Sequence, residues 1–360
     1  RFLFIVQGEG RGHLTQAISL AGMLRRHGHE VLETLVGKSQ TRDLPRFFSE
    51  KIHSPLRIYD APSMVFKKDR KHIDLIKTFI HNVSPRKLAK YAQSVELIHS
   101  RIKELAPDRV INFYEMLPSF VQLRSRIDVP FVHIGHQYLL RHPDYPHGRG
   151  DHMILLRLYT TLCSLGASRI LALSFYPMKS YARDRVVVVP PLLRKEVLNL
   201  TPTEGSHILG YMLNSGYEQE IRAWHKTHPK ERLHFFWDGR HVPPVWKVDK
   251  TLTLHTIDDA SFLKYMASCR GYVTTAGFES VCEALYLDKP VMMIPAHIEQ
   301  EVNAADALSI HGGVIGDSFD LTKLLQHITQ EKRAFDAAAF QEWVRSAEQI
   351  FIEQLTSTLP

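Results

Sequence analysis

Short apolar runs alternate with longer segments of helical periodicity along the first half of the chain. The run at residues 2–6 is too short to prefer a helix and predicts a buried strand. Apolar residues from Leu14 to Leu24 then recur at helical spacing, and Gly28 stands where that helix is expected to end. Further strands are predicted at residues 30–36, 109–113, 131–134, 169–174 and 185–189. Strands that alternate with helices predict a parallel sheet with helices on both faces.

A second alternating series follows Pro190 and Pro191 and the polar, turn-rich residues 201–206. Apolar residues from Phe340 to Leu355 predict one long final helix. Because 360 residues exceed what one core usually holds, we expect an α/β fold with two doubly wound domains, 1–198 and 199–335, facing each other across a cleft. The strands of the second domain are predicted at residues 208–213, 233–237, 252–255, 272–274 and 291–294.

The turn between the first strand and the first helix contains Gly8, Gly10, Gly12 and His13. Glycine lets a ligand approach the backbone closely, and the amino terminus of a helix favours an anion. The sequence excludes a P-loop, which needs Gly-Lys-Ser/Thr, and the glycine spacing excludes the dinucleotide fingerprint. The glycines alone are equally consistent with a tight connection that binds nothing. His13 adds an ionisable group that can act as a base at the edge of the predicted sheet.

A similar arrangement recurs in residues 274–304 of the second half. Small residues again lead from the end of a strand into the start of a helix, so Gly277 and Ser280 are predicted to contact a phosphate. Glu283 lies about one turn inside that helix, where a carboxylate can accept both hydroxyls of a ribose. The alternative for Glu283 is a glutamate on a solvated helix face.

Composition narrows the class of protein. An apolar content of 44% is typical of a globular chain, and no apolar run approaches the roughly 20 residues that span a bilayer. Three cysteines without paired spacing make zinc and a disulfide framework unexpected. No signal peptide is visible ahead of the first strand, and we expect a cytoplasmic protein.

The net charge of +7 predicts an acidic partner, unless it serves only solubility. No nucleic-acid-binding motif is present, so nucleic acid is not an expected partner. Basic and apolar residues interleave over residues 64–80, and Met153–Leu156 is wholly apolar. Both stretches suit contact with an anionic membrane surface. For residues 64–80 the alternative is an ordinary amphipathic helix whose lysines face solvent.

The segment Gly10–His13 followed by Gly277–Asn303 resembles the GT-B glycosyltransferases that use nucleotide-diphosphate sugars. The most similar groups are the lipid-linked N-acetylglucosaminyl transferase of peptidoglycan synthesis, the diacylglycerol glycosyltransferases and the UDP-glycosyltransferases. The resemblance implies two Rossmann-like domains, with the C-terminal helix of residues 336–360 packing back toward the first. It also implies inverting transfer of a hexose-type sugar from a UDP-sugar to an acceptor hydroxyl. The acceptor is a membrane lipid or lipid-linked glycan, a soluble sugar or a small aglycone, and a lipid acceptor would place the enzyme on the inner face of the cytoplasmic membrane.

The resemblance also implies roles for individual residues. His13 matches a general base that deprotonates the acceptor. Residues on the acceptor side are Gly10, Arg11, Gly12, His136 and Gln137. Residues that contact the nucleobase, the diphosphate, the ribose and the sugar of the donor are Ile257, Gly277, Phe278, Ser280, Glu283, Glu299 and Gln300.

Some positions depart from the family pattern. Glu9 and Arg11 make the first turn bulkier than usual, and Thr275-Ala276 replaces the His-Gly or Ser-Gly of several branches. No Asp-x-Asp pair is present, so we expect no metal and no cofactor besides the nucleotide sugar as co-substrate.

Two other functions remain open. A nucleotide-sugar 2-epimerase of the same fold would need additional carboxylates near its substrate, and a non-catalytic nucleotide-sugar-binding protein would need none. The oligomeric state is not predicted.

Overall fold

The computed structural model describes residues 1–40, 43–63, 65, 75–125, 127–145, 151–212, 215–239, 242–330 and 333–358. The chain forms two compact units. Unit 1 comprises Arg1–Val65, Asp74–Arg194 and Trp343–Pro360, and unit 2 contains Lys195–Glu342. Each unit has one seven-stranded sheet. The sequence-based boundaries at 198 and 335 remain predictions.

The sheet of unit 1 is parallel throughout and has the strand order β3-β2-β1-β4-β5-β6-β7. Its strands are β1 (Phe2–Gln7), β2 (Val31–Lys38), β3 (Leu56–Asp60), β4 (Arg109–Phe113), β5 (Phe131–Gly135), β6 (Arg169–Leu173) and β7 (Val186–Val189). Strands buried on both faces need near-continuous apolar runs, and β1, whose first five residues are buried, has one.

Helices cover both faces of this sheet, as its parallel strands require. They are α1 (Arg11–Arg26), α2 (Arg46–Lys51), α3 (Leu75–Asn82), α4 (Pro85–Leu105), α5 (Leu117–Arg124) and α6 (Asp151–Cys163). Short 3-10 helices add His136–Arg141 and Ala182–Asp184. One core lies between the sheet and helices α4 and α5, where Ile98 and Ile102 pack with Leu3, Val110 and Phe131.

The sheet of unit 2 has the order β10-β11-β9-β8-β12-β13-β14, and all its pairs are parallel except β10 with β11. Its helices are α7 (Lys195–Leu198), α8 (Glu218–Thr227), α9 (Asp259–Ser268), α10 (Phe278–Tyr286), α11 (Ile298–Ser309) and α12 (Thr322–Ile328). Its strands are β8 (His207–Met212), β9 (Arg232–Trp237), β10 (Val245–Lys247), β11 (Leu252–Thr256), β12 (Gly271–Thr274), β13 (Val291–Met293) and β14 (Val314–Ile315).

The structure contains every predicted strand, and it corrects two features of the sequence-based description. The predicted single final helix is wrong, because the chain forms α13 (Ala337–Arg345) and α14 (Ala347–Thr356). Between them, Ser346 donates its hydroxyl to the carbonyl oxygen of Trp343 at 2.7 Å, a local bond that competes with a continuous helix. Three strands were not predicted: β3, β10 and β14.

Both sheets contain a topological switch point. In unit 1 the chain begins at β1, builds β2 and β3 on one side, and then crosses to β4 on the other side. In unit 2 the chain begins at β8, builds β9 and β11 on one side, and then crosses to β12. The carboxyl ends of parallel strands beside such a point are where open α/β sheets bind ligands.

Candidate active site

The switch point of unit 1 brings two loops together. Strands β1 and β4 pair in parallel, with Val6 opposite Phe113, so the turn that leads to His13 and the turn at Tyr114 and Glu115 follow neighbouring strand ends. We therefore define the candidate active site of unit 1 by these two turns.

His13 is held in a defined orientation by Tyr114 and Gln16. Its side chain is on the first turn of α1 and is only 7% exposed, with the imidazole stacked on the Tyr114 ring at 5.7 Å between centroids. Its Nδ1 lies 3.2 Å from Gln16 Oε1. Because an amide oxygen only accepts hydrogen bonds, this contact favours the tautomer with the proton on Nδ1. In that tautomer the imidazole can accept a proton at Nε2.

The ring that packs on His13 is itself fixed. Tyr114 adopts a left-handed backbone conformation with φ 56°, which is uncommon for a residue with a Cβ. Its hydroxyl lies 2.7 Å from Thr160 Oγ1 on α6. Strained residues of this kind persist where the surrounding structure holds them, and they cluster at functional sites.

Glu115 is a buried carboxyl that sequence reasoning missed. It is 3% exposed, and its Oε1 accepts a hydrogen bond from the Met116 N–H at 2.9 Å. Burial raises its pKa to about 7, and the negative charge of Glu9 acts in the same direction. This carboxyl therefore titrates near neutral pH beside the residue that braces His13. A signal was available: like Gly8–His13, Tyr114-Glu115 is a polar turn directly after a predicted strand.

Gly37 at the end of β2 makes room for this carboxyl. A methyl group on Gly37 would collide with Glu115 Oε2 and with the ring and hydroxyl of Tyr59 on β3. Burial raises the pKa of Tyr59 well above its usual value, so this phenol stays neutral. In the part of the chain that the structure describes, the Tyr59 hydroxyl has no hydrogen-bond partner. The ends of β2, β3 and β4 thus bring the Glu115 carboxyl and the Tyr59 hydroxyl together beside Gly37.

The two glycines at the start of the first turn differ in role. The Gly8 N–H donates to the Gly37 carbonyl at 2.7 Å, and a Cβ on Gly8 would lie 2.7 Å from Val36 Cγ1. Gly10 has an extended backbone with φ −106°, and a Cβ there would meet nothing within 4 Å. Close packing against β2 therefore explains why residue 8 is a glycine. Gly10 instead leaves open space beside the start of α1.

This difference predicts unequal losses of stability for two alanine variants. Gly8→Ala should lower the free energy of unfolding by about 1–3 kcal/mol, because its methyl group overpacks against Val36. Gly10→Ala should cost less than about 1 kcal/mol, the usual loss at a helix N-cap. Urea denaturation of both variants measures the difference. Equal losses would show that the two glycines do not differ in packing.

The turn residue Glu9 and the other predicted acceptor-side residues have varied surroundings. Glu9 Oε1 accepts the Ser39 N–H at 2.6 Å and ties the turn to the end of β2, and Arg11 is the half-buried first residue of α1. His136 and Gln137 lie in the interior of unit 1, in the 3-10 helix after β5. His136 Nδ1 donates to the Leu173 carbonyl at 2.8 Å, and burial lowers its pKa to about 4. The structure thus places a neutral, buried imidazole there, and its predicted acceptor contact stays a prediction.

The predicted donor residues lie along one edge of the unit 2 sheet. Gly277 is the N-cap of α10, directly after β12, and Ser280 Oγ donates to its carbonyl at 3.2 Å. Ala276 before it has φ 60°, and Asn303 Nδ2 donates to the Ala276 carbonyl at 3.0 Å. Gly277 has no side chain, and the positive end of the α10 dipole at this amino terminus suits an anion.

Glu283 is 2% exposed, so the alternative of a solvated helix glutamate is wrong. Phe278 is also buried in α10. Glu299 and Gln300 are half-buried on the first turn of α11, where Gln300 Oε1 accepts the Ala296 N–H at 2.9 Å. Ile257 is half-buried between β11 and the start of α9. The parallel register puts all these positions at the carboxyl edge of the sheet, although their contacts with a donor stay predictions.

A family model described as Glycosyl transferase family 1 matches residues 1–329. The chain belongs to this family. A search of the curated proteins finds no match.

Solved glycosyltransferase structures resemble this family 1 protein over nearly its whole length. The kitacinnamycin glycotransferase has a TM-score of 0.66 at 13% identity, and the alignment covers 100% of this chain and 99% of that one. LpCGTa in complex with UDP has a TM-score of 0.64 at 16% identity, with 98% of each chain covered. MurG of Acinetobacter baumannii has a TM-score of 0.59 at 15% identity, with 99% of this chain and 100% of that one covered. The protein is thus a glycosyltransferase with the two-domain α/β architecture called GT-B.

Two kinds of feature are absent from the part of this glycosyltransferase that the structure describes. Among the described residues, no three or more histidines, cysteines, aspartates or glutamates are grouped as metal ligands would be. Over the same part of the chain, no helix has the length and apolar character needed to cross a bilayer.

Proposed function

We propose that this glycosyltransferase moves a hexose-type sugar from a UDP-sugar to an acceptor hydroxyl, inverting the anomeric centre without a metal. The observation that carries the proposal is the geometry of His13: a histidine held on the first turn of α1, with its lone pair at Nε2. The solved structure of LpCGTa, which contains UDP, adds support for a uridine nucleotide.

His13 acts as the general base in this proposal. Its Nε2 accepts the proton of the acceptor hydroxyl as that oxygen forms a bond to the anomeric carbon of the donor. The bond between that carbon and the diphosphate breaks, and its electron pair leaves with UDP. Gln16 keeps the Nδ1–H tautomer and Tyr114 fixes the plane of the ring, so the lone pair needs no rearrangement before reaction.

Unit 2 supplies the donor interactions. The amino terminus of α10 and the Ser280 hydroxyl hold the diphosphate and stabilise the charge that develops as it leaves. Glu283 binds the ribose, Glu299 and Gln300 bind the sugar hydroxyls, and the backbone at Ile257 contacts the base. The Asn303 hydrogen bond to Ala276 fixes the turn that presents α10.

A lipid is the acceptor class that we propose, at an anionic membrane surface on the cytoplasmic side. On α6, Ile154 is 64% exposed and Leu155 is 50% exposed, although Met153 of the same predicted stretch is buried. Leu158, one turn further along α6, is also more than half exposed. Large apolar side chains grouped in this way are typical of membrane or partner contact. Of the other predicted stretch, residues 64 and 66–74 lie outside the described residues.

A nucleotide-sugar 2-epimerase is a second candidate, and one observation favours it. The elimination chemistry of an epimerase needs carboxylates beside its substrate, and unit 1 places Glu115 and Glu9 close enough for their charges to interact. The buried Glu115, with a pKa of about 7, has the protonation behaviour of a group that exchanges protons at neutral pH.

Incubation with a panel of nucleotide sugars distinguishes these functions. We expect free UDP to appear, and to appear faster when lipid extract is added, because transfer to a lipid releases the nucleotide. Epimerisation would instead change the sugar while the nucleotide stays attached, and a binding protein would do neither. Free UDP with a soluble sugar acceptor but no increase with lipid would exclude the lipid acceptor and leave the transferase.

A further inference from the structure

An arginine-lined cavity of about 230 Å³ lies in unit 1, away from the candidate active site. It is lined by Arg141, Ser164, Leu165, Gly166, Ala167, Ile170, Arg183 and Arg185. Ala167 comes just before β6 and Arg185 just before β7, so the cavity lies at the amino edge of the parallel sheet. His13 follows β1 at the opposite, carboxyl edge. The two sites are therefore separate.

Two of the three guanidinium groups are anchored at the rim. Arg185 Nη1 donates to the Ala167 carbonyl at 2.9 Å, and Arg141 Nη1 donates to Ser164 Oγ at 2.9 Å. Arg185 also has a left-handed backbone with φ 58°, which a residue with a Cβ seldom adopts without a constraint from its surroundings. The positions of these two positive charges are thus set by the fold rather than by solvent.

The lining of this cavity carries positive charge from three arginines. No acidic side chain is among its lining residues, and among the side chains that the structure describes no carboxylate forms an ion pair with Arg183 or Arg185. Like charges gathered around one concave surface repel each other, and an anion between them removes that repulsion. Guanidinium groups match the oxygens of a phosphate with paired, charge-assisted hydrogen bonds.

We propose that this cavity is a binding site for a phosphate-bearing ligand, with Arg141, Arg183 and Arg185 contacting its oxygens. A phosphate ester or a diphosphate carries negative charge on oxygens that guanidinium groups bind. The phosphate comes either from a free phosphate compound or from the head group of a phospholipid. The site is independent of the proposed donor site, which lies in unit 2.

Chemical protection tests the site residue by residue. Phenylglyoxal, which modifies arginine, is applied to the full chain with pyrophosphate or with sodium chloride of equal ionic strength, and mass spectrometry follows each arginine. We expect pyrophosphate to slow modification of Arg183 and Arg185 about tenfold, the change typical of charge-assisted hydrogen bonds, and to leave Arg86 unchanged. Equal rates in both salts would overturn the proposal, and so would equal protection of Arg86. Pyrophosphate bound at the donor site does not affect this readout.

Two further arms complete the experiment. Arg183→Ala removes an exposed side chain and should raise the pyrophosphate concentration that half-protects Arg185 about tenfold, whereas Arg86→Ala should leave it unchanged. An unchanged value in Arg183→Ala would contradict the shared site.

Vesicles of phosphatidylglycerol or phosphatidylcholine replace pyrophosphate in the last arm. Protection by phosphatidylglycerol vesicles assigns the head group as the source, and protection by pyrophosphate alone assigns a free phosphate compound.

Discussion

Replacement of His13 by alanine is expected to lower kcat by about 10²–10⁴-fold, the usual contribution of a general base, while Kd for UDP stays the same. The side chain belongs to unit 1 and the proposed UDP contacts belong to unit 2, so its loss removes the base without removing donor contacts. Steady-state kinetics with saturating donor, together with calorimetric titration of UDP, separate the two effects. A kcat equal to that of the wild type would remove His13 from the mechanism.

A structural role for His13 needs to be distinguished from a catalytic one. His13 is only 7% exposed and its ring stacks on Tyr114. Replacement by alanine therefore leaves a cavity of the shape of the imidazole beside Tyr114. Added imidazole can enter that space and accept the proton, and we expect it to restore part of the lost rate. A protein that is merely misfolded would gain nothing from imidazole. Gln16→Ala, which removes the partner of Nδ1, should lower kcat less and should not respond to imidazole.

The second large effect concerns stability and pH at Glu115. Burial raises the pKa of this carboxyl from 4.5 to about 7 in the folded chain. Between those values the unfolded chain is ionised at this position while the folded chain keeps its proton. The free energy of unfolding therefore falls as pH rises through this window, by about 3 kcal/mol in total. Glu115→Gln removes this loss, because glutamine has no proton to release and its Oε1 can still accept the Met116 N–H.

Urea denaturation of the wild type and Glu115→Gln at several pH values between 4.5 and 8 measures the effect. We expect the variant to gain stability relative to the wild type as pH rises, and the difference to level off above pH 7. The buried His133 and His136, whose pKa values burial lowers to about 4, act in the opposite direction as pH falls. Both proteins keep these histidines, so their contribution cancels in the difference. A difference that does not vary with pH would show that Glu115 is ionised in the folded chain.

Apolar patterning is sufficient to predict the central strands of both sheets and insufficient at most of the sheet edges. Strands such as β1 and β5 are buried on both faces and appear as continuous apolar runs. The edge strand β3 has two exposed residues in five, and β10 and β14 are only three and two residues long. Their place in the sheet depends on pairing with a neighbour rather than on their own sequence. These three edge strands are therefore the part of this fold that periodicity does not reveal, whereas the edge strand β7 is a run of four valines and was predicted.

The candidate site also has a part that the sequence predicts and a part that it does not. Gly277 and His13 were predictable because each stands in a recognisable turn between a strand and a helix. The raised pKa of Glu115 was not, because it depends on burial beside Gly37 and Tyr59, which are far apart in the sequence. Only the strand order of the sheet brings those residues to one place.

Unit 1 is discontinuous in sequence, and this has a consequence for biosynthesis. Its last segment, Trp343–Pro360, follows the whole of unit 2. Arg26 forms paired hydrogen bonds with Glu348, and Arg109 and Arg169 donate to carbonyl oxygens at the end of α14. A nascent chain that has made only β1 to β7 lacks these partners. On the ribosome, unit 2 can therefore complete its contacts before unit 1, although domains usually fold in the order in which they are synthesised.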